Sequence, residues 1–504
     1  MSRISIAVLL PIVLAAAVLP TAGFAAERPN IVLMMGDDHG WEETGYNGHP
    51  YVKTPVLDAM AQSGLRLDNF YAGHPTCSPT RGSFLTGRHP NRYGTFTPNF
   101  SMRPEEITIA QLLNQAGYRC GHFGKWHVGP VKKSSPTSPG SMGFGSWLSH
   151  DNFFELNPSL SRNGAAPDVI KGEGSEVIAA AAIEFMKQST AAGEPFLTVI
   201  WFGSPHEPYS GLESDLQLYD DLPMKFANKR VRLTSNKTGR PVERSQREVL
   251  RERYAEITAM DRSIGFVQDH LSETGQLNNT LLLYCGDNGT PQEAVAESPL
   301  RGRKGQMYEG GIRVPGVICW PQRIKAPAIS SVTTSTSDIL PTLCSIVGIE
   351  APKRPLDGID LTPLFAGEMN VRPSPLYFWA YDVKHERNGE RIDYLPAEAQ
   401  TGTTPLVKLM GDITTRNFTN YVHATITPDD YLGTIAAIEG THKLVVKRTA
   451  KRQTIELFDL SSDRAEDKDI SESNKDHIDE MLFGLRNWQD SVLNSLTGRD
   501  YSDE

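Results

Sequence analysis

Apolar positions along the chain follow two alternating rhythms. Short unbroken runs at residues 30–35, 118–123, 196–202 and 280–285 have the length and composition of strands buried on both faces. Between them lie stretches with helical spacing. Thr54-Pro55 opens one that Gly64 closes, and residues 107–116 form a second closed by Gly117. Ser175 is placed to cap an alanine-rich helix running to about Thr190, and Leu250, Tyr254, Ile257, Met260, Ile264, Val267 and Leu271 form one amphipathic stripe. This alternation predicts an α/β fold, with a mixed, mainly parallel sheet between helices. Ligands of such sheets sit outside the carboxyl ends of the strands. The residues that follow the four runs are therefore informative: Asp37-Asp38, then Lys125 and His127, then His206, then Asp287-Asn288. All four groups are expected to meet at one sheet edge.

Past about Leu356 the texture changes. Residues 382–432 mix charged and turn residues with short apolar pieces, whereas 434–438, 443–447 and 454–458 read as antiparallel strands and 481–496 as a terminal helix. The division that follows is a catalytic domain over 27–370 and a smaller α+β subdomain over 371–504. The first 26 residues stand apart. Arg3 precedes an apolar run over 4–19, then Pro20 and the small residues Ala22, Gly23, Ala25 and Ala26, the order of a secretory signal peptide. No other stretch is long and apolar enough to cross a membrane. The expectation is an exported protein, periplasmic or secreted, without stable membrane insertion.

Composition narrows the function. The chain has 504 residues, 39% apolar and 22% charged, enough for a large core and too rich in apolar residues for disorder. Sixty acidic residues against fifty basic give a net charge of −10, which argues against a nucleic-acid partner, so an anionic ligand needs a local cluster of cations. Of the five cysteines, Cys120, Cys285, Cys319 and Cys344 lie in apolar segments and read as buried free thiols. Cys77 differs, flanked by Thr76, Ser78, Pro79 and Thr80. Three residues separate it from Arg81, whereas a cysteine-dependent phosphatase loop needs five. Asp37-Asp38 and Asp287-Asn288 offer hard oxygen ligands of the kind that suit Ca²⁺ or Mg²⁺.

Cys77-x-Pro79-x-Arg81 resembles the signature of the type I, formylglycine-dependent sulfatases. Gly36-Asp37-Asp38, Gly124-Lys125-Trp126-His127, Pro205-His206-x-Pro208, Asp287-Asn288-Gly289, and Lys304 ahead of Glu309-Gly310-Gly311-x-Arg313-Val314-Pro315 follow in that family's order. The resemblance spans about 30–349 and resumes at 456–460, and is greatest to bacterial members related to N-acetylgalactosamine-6-sulfatases and arylsulfatases. Glu43, Val128 and Arg464 depart from the family's frequent residues. The resemblance implies an alkaline-phosphatase-like fold, with Ca²⁺, in preference to Mg²⁺, held by Asp37, Asp38, Asp287, Asn288 and the modified Cys77. It also implies a maturation enzyme that converts Cys77 to formylglycine. The hydrated aldehyde, a gem-diol, would attack sulfur and then collapse to expel sulfate. Arg81 would orient the diol and the carboxylates, Lys125 and Lys304 clamp the sulfate, His127 act as base and His206 as acid. The implied substrates are sulfated carbohydrates or aryl sulfates, with residues 134–165 and 382–432 expected to set specificity. Two other readings compete. A phosphatase or phosphodiesterase of the same superfold should lack the Cys-x-Pro-x-Arg arrangement. A noncatalytic glycan-binding protein should have lost one of Asp37, Cys77, Lys125, His127 or Asp287.

Overall fold

Side chains alternate across a strand, so Ile31, Leu33 and Met35 face one side of the sheet while Val32 and Met34 face the other, and all five are buried. Two cores result. One packs Ile31, Leu33 and Met35 with Val199, Leu283, Phe84 and Leu340, and the other packs Val32 and Met34 with Ile178, Met260, Ile264 and Val267. The computed structural model describes residues 28–235, 238, 240–383, 391–405 and 417–501, so the leader reading of residues 1–26 lies outside the described residues.

The main sheet has ten strands. Thr280–Gly286, Asn30–Gly36, Phe196–Trp201, Arg119–Lys125 and Ser146–His150 lie side by side in that order and are parallel. Gly316–Cys319 extends this block antiparallel at one flank, and Ser159–Arg162 does so at the other. The four strands expected to carry functional residues are thus direct neighbours. Helices Gly174–Ala191 and Gln246–Glu273 cover one face, while Cys77–Thr86 and Ile339–Val347 cover the other.

A second sheet of four antiparallel strands, in the order Leu376–Tyr381, Gly433–Glu439, His442–Arg448 and Gln453–Asp459, follows in the chain. Helix Lys475–Leu496 buries Met481, Leu485 and Trp488 against one face. The other face packs Phe378, Val445 and Phe458 on Tyr71, Tyr308 and Ile312.

The structure revises several expectations. Glu173, not Ser175, caps the alanine-rich helix, because its carboxylate accepts the Glu176 N–H while Ser175 already lies within the helix. Leu376–Tyr381 adds a fourth strand to the small sheet, and the terminal helix starts at Lys475, six residues before Met481. Within 382–432, residues 384–390 and 406–416 lie outside the described set, and the remainder holds the short helix Ala397–Gln400 and the 3-10 turn Pro428–Tyr431.

The small sheet's core rests on Trp379, which is 0% exposed, whereas Phe483 on the covering helix is 71% exposed. Trp379→Ala is expected to cost about 3–5 kcal/mol and to lower the thermal midpoint by several degrees. Phe483→Ala should leave the midpoint unchanged, and equal shifts for the two variants would contradict this packing.

Candidate active site

In-register pairing fixes the first half of the site. Gly36 lies opposite Gly286, so Asp37 and Asp287 leave the sheet together. The Asp38 N–H donates to Asp287 Oδ1 at 2.9 Å, which ties the two loops at the next residue. Gly286 allows the approach, since a Cβ there would stand 2.2 Å from the His39 carbonyl oxygen. Asp38 and His127 hold φ of 62° and 58°, a left-handed conformation that is strained for a side chain bearing a Cβ and recurs at functional positions.

Cys77 is the first residue of its helix, where exposed backbone N–H groups and the helix dipole favour negative charge. Residues 77–81 show no apolar period that would announce this helix from sequence. Thr80 makes the start at Cys77 possible: its hydroxyl donates to the His74 carbonyl at 2.7 Å and accepts the His74 N–H at 3.2 Å, closing the turn that enters the helix. Arg81, one turn beyond Cys77, donates to Asp287 Oδ2 at 2.7 Å and lies 3.4 Å from Asp37 Oδ1.

The other cations arrive from separate elements, Lys125 from the end of its strand and Lys304 from a loop. Lys125 Nζ donates to Asp37 Oδ2 at 2.6 Å, and Lys304 Nζ lies 2.6 and 2.7 Å from the two Asp38 oxygens. Lys304 owes its position to backbone bonds: its N–H donates to the Thr290 carbonyl and the N–H of Gly305 to that of Pro75. His206 Nε2 is 3.3 Å from Lys304 Nζ and 3.6 Å from Asp38 Oδ2. Its Nδ1 lies 2.6 Å from the Glu207 carbonyl oxygen, which can only accept, so Nδ1 carries the proton and neutral Nε2 is an acceptor facing Lys304. Phe153 stacks on the His206 ring and Phe418 meets His127 edge-on, so both segments expected to shape specificity reach a site histidine.

Burial and charge set the protonation states. Burial pushes the Cys77 thiol up to about 11, so the unmodified side chain is a poor nucleophile at neutral pH. Burial works against ionisation of Asp37 and Asp38 too, yet the neighbouring cations, Lys125 for Asp37 and Lys304 for Asp38, hold both below the usual carboxylate range. Asp287 goes the other way, raised to about 7 by burial and by Asp37. Burial, reinforced by Lys125 and Arg81, keeps His127 well below the ordinary imidazole value, and burial lowers His206 as well.

The carboxylate and amide oxygens of Asp37, Asp38 and Asn288 suit a hard divalent cation, whereas the Cys77 thiol and His206 imidazole beside them are softer donors. One potential ligand atom from each of Asp37, Asp38, Cys77 and His206 lies within 4.8 Å of the others. Asp37 Oδ1 and Asn288 Oδ1 are buried oxygens with no hydrogen-bond donor among the described residues. Both Asp287 oxygens are engaged, one by Arg81 and one by the Asp38 N–H. The Asn288 amide nitrogen donates to Asp38 Oδ1 at 2.9 Å, which leaves its oxygen free. Asp37, Asp38, Cys77, Arg81, Lys125, His206, Asp287, Asn288 and Lys304 therefore form one cluster, and His127 is near enough to feel the charges of Lys125, Arg81 and Asp37. Its mouth is a cavity of about 410 Å³ lined by Asp38, His206 and Lys304, and Cys77, 2% exposed, lies deeper.

The Sulfatase family matches residues 29–349. The chain belongs to the sulfatase family. It shares 30% identity over 448 residues with N-acetylgalactosamine-6-sulfatase of Canis lupus familiaris, covering 78% of this chain and 80% of that protein. With arylsulfatase A of Homo sapiens it shares 30% over 374 residues, covering 71% and 72%. In fold it matches BT4656, solved in complex with its substrate D-glucosamine-2-N,6-O-disulfate, at a TM-score of 0.69 and 20% identity over 95% of this chain and 100% of that one. The sulfatase is a sulfuric ester hydrolase.

Sequence reasoning missed Arg253. This fully buried side chain of the sulfatase donates to Glu43 Oε1 and Oε2 at 2.7 and 2.6 Å, to the Asp38 carbonyl at 2.6 Å and to the Pro205 carbonyl at 2.5 Å. It thereby joins the loop bearing Asp38 to the loop bearing His206. A signal was present, since Arg253 lies between Leu250 and Ile257 on the apolar stripe of its helix and a charge there demands a buried partner. Glu43, noted only as a departure from the family's frequent aspartate, is that partner. Arg253→Met should leave Glu43 buried and unpaired at a cost of about 3–5 kcal/mol. Combining it with Glu43→Met should recover part of the lost thermal midpoint, and a double variant less stable than Arg253→Met alone would refute the pairing.

Proposed function

We propose that the enzyme hydrolyses sulfate monoesters of sulfated sugars, with Cys77 matured to formylglycine by a dedicated enzyme and Ca²⁺ beside it. One observation carries the reading: Asp37, Asp38, Cys77 and His206 converge within 4.8 Å while Lys125 and Lys304 each bond one of the two carboxylates. Formylglycine would supply an oxygen nucleophile in place of the thiol, and Ca²⁺ a fixed positive charge next to it. Asp37, Asp38, Asp287 and Asn288 are the residues that would hold the ion, with the two free oxygens of Asp37 and Asn288 as its first partners.

The remaining chemistry belongs to the chain's own groups. Lys125 and Lys304 present ammonium groups where charge grows on the sulfate oxygens, held in advance by Asp37 and Asp38 so that little reorganisation is needed. Arg81 locks Asp287 and the helix that carries Cys77. His127 is buried and neutral, with both ring nitrogens lacking partners among the described residues, and serves as the base for the nucleophile's proton. His206 Nε2 accepts from Lys304, so this pair holds the proton that the departing sugar oxygen requires. A single cluster of His, Cys, Asp and Glu side chains among the described residues can hold a metal, which favours this chemistry over a two-metal phosphatase. The relative named for N-acetylgalactosamine 6-sulfate supports a sulfated sugar as the substrate, and the leader-like residues 1–26 support action outside the cytoplasm.

Two measurements test the proposal. Protein made in a host that matures sulfatases should release sulfate, not phosphate, from aryl esters, and mass spectrometry of the Cys77 peptide should show the aldehyde. Cys77→Ala should fold normally and release no sulfate, whereas full turnover by that variant or a plain thiol in active enzyme would reject the mechanism. Separately, Ca²⁺ at about 100 times its Kd should stabilise the protein by about 2.7 kcal/mol, read as a raised thermal midpoint. Asp37→Ala should abolish this shift, and an equal shift in that variant would place the ion elsewhere.

A further inference from the structure

The chain carries a net charge of −10, yet the ground beside the catalytic mouth is positively charged. The mouth shares Gln292, Glu293, Arg303 and Gln306 with a second cavity of about 730 Å³, so the two form one continuous cleft. Lys229, Arg230, Arg232 and Arg303 line that second cavity. Strand alternation explains the first wall. In the hairpin of Arg230–Thr234 with Pro241–Ser245, Val231 and Leu233 pack on Val249 and Tyr209, which turns Arg230 and Arg232 outward together. Arg230 Nη2 donates to the Glu243 carbonyl at 2.9 Å and Lys229 Nζ to the Val295 carbonyl at 3.5 Å. Such bonds steady a side chain without cancelling its charge. None of the four cations is in an ion pair among the described residues, and a single carboxylate lines the second cavity, Glu293, which accepts from the Tyr209 hydroxyl at 2.9 Å, so four cations stand against one anion there. Neither segment expected to set specificity, 134–165 or 382–432, lines this cavity.

Resting on the sulfatase reading, we propose that the cleft is a subsite for an anionic group on the sugar adjoining the one that carries the scissile sulfate. The preferred substrate is then a polyanionic oligosaccharide, not an isolated sulfated sugar. The volume suits this, being within the range of roughly 300–1,000 Å³ that encloses a ligand of about disaccharide size. Exposed arginines attract anions at short range, and two of them together justify an effect of about fivefold to tenfold, diminished by salt.

The test uses the matured, metal-loaded enzyme with 4-nitrophenyl sulfate as reporter. The competitors are N-acetylgalactosamine 6-sulfate and two tetrasaccharides, one of chondroitin 6-sulfate, which also bears carboxylates, and one of ι-carrageenan, which bears sulfates alone. At least one tetrasaccharide should compete about tenfold more tightly than the monosaccharide. That advantage should fall about fivefold in R230A/R232A, and Lys229→Glu should reduce it in the same direction. A carrageenan advantage identifies sulfate as the second anion, and an advantage confined to chondroitin identifies carboxylate. Equal competition by all three sugars, or an advantage that the variants leave intact, overturns the proposal. Calorimetric binding of the same sugars to Cys77→Ala protein reads the preference without turnover. Absence of aryl-sulfate hydrolysis by the unsubstituted enzyme would therefore count against the sulfatase mechanism, while the binding preference alone judges the cleft.

Discussion

Asp37, Asp38 and Asp287 are withdrawn from water together with Arg81 and Lys125, with the partly exposed Lys304 closing the rim, and much of the surrounding structure keeps those six groups within bonding distance. Removing an ion from water costs several kcal/mol even after the protein relaxes, and the cost is offset only where geometry is tight and the other lone pairs are satisfied. In-register pairing of Asn30–Gly36 with Thr280–Gly286 supplies the tightness for the carboxylates, because the segments that carry them continue directly from the paired strand ends. The cations come from three other segments, so the cluster closes only when the whole sheet edge has assembled. Three carboxylates against three cations leave little net charge, and the two oxygens without donors mark where the cluster is incomplete by itself.

How much of this was legible follows from what each element buries. Strands buried on both faces leave long apolar runs, and these runs break at Gly36-Asp37-Asp38 and Gly286-Asp287-Asn288, so both the central sheet and its functional edge could be read directly. Helix Cys77–Thr86 could not. It is buried all round with small and polar side chains, Ser78, Thr80, Gly82 and Ser83 among them, so it has no polar face to set against an apolar one. The strand Leu376–Tyr381 hides for a related reason: Tyr377 and Ala380 are half-buried among fully buried neighbours, and no alternation emerges. The pairing of Arg253 with Glu43 spans more than two hundred residues, and nothing local announces it.

Lys304 depends on the second sheet. The segment from Arg301 to Arg313 is drawn against the Asp287 loop so closely that a Cβ on Gly289 would stand 1.9 Å from the Gly310 carbonyl oxygen. What holds it there is another buried charge cluster. Glu309 accepts from Lys443 Nζ at 2.8 Å, from Arg313 Nη1 at 2.9 Å and from the Tyr71 hydroxyl at 3.0 Å, and its N–H donates to Glu466 at 2.6 Å. Lys443 also pairs with Glu466 at 2.9 Å. Strand His442–Arg448 thus reaches through Lys443 into the loop that presents Lys304. The smaller sheet is part of the mechanical frame of the site.

The two lysines of the site differ in one respect that bears on how an anion enters. Lys125 is fully buried, whereas the Lys304 side chain is 22% exposed at the mouth. On the proposed function, an incoming sulfate ester would meet Lys304 and His206 first and Lys125 only after shedding most of its water. Outside the mouth, long-range attraction is weak, because the chain as a whole is acidic and charges more than about 8 Å apart are largely screened at physiological salt. Capture must come from cations within that distance of the path. Arg303, adjacent to Lys304 and common to both cavities, stands where the two parts of the cleft meet. Positive charge is thus arranged in order of decreasing exposure, from the exposed hairpin arginines to the partly covered Lys304 to the dry Lys125, an order that under the proposed function would let a sulfated ligand exchange its water for protein contacts in stages.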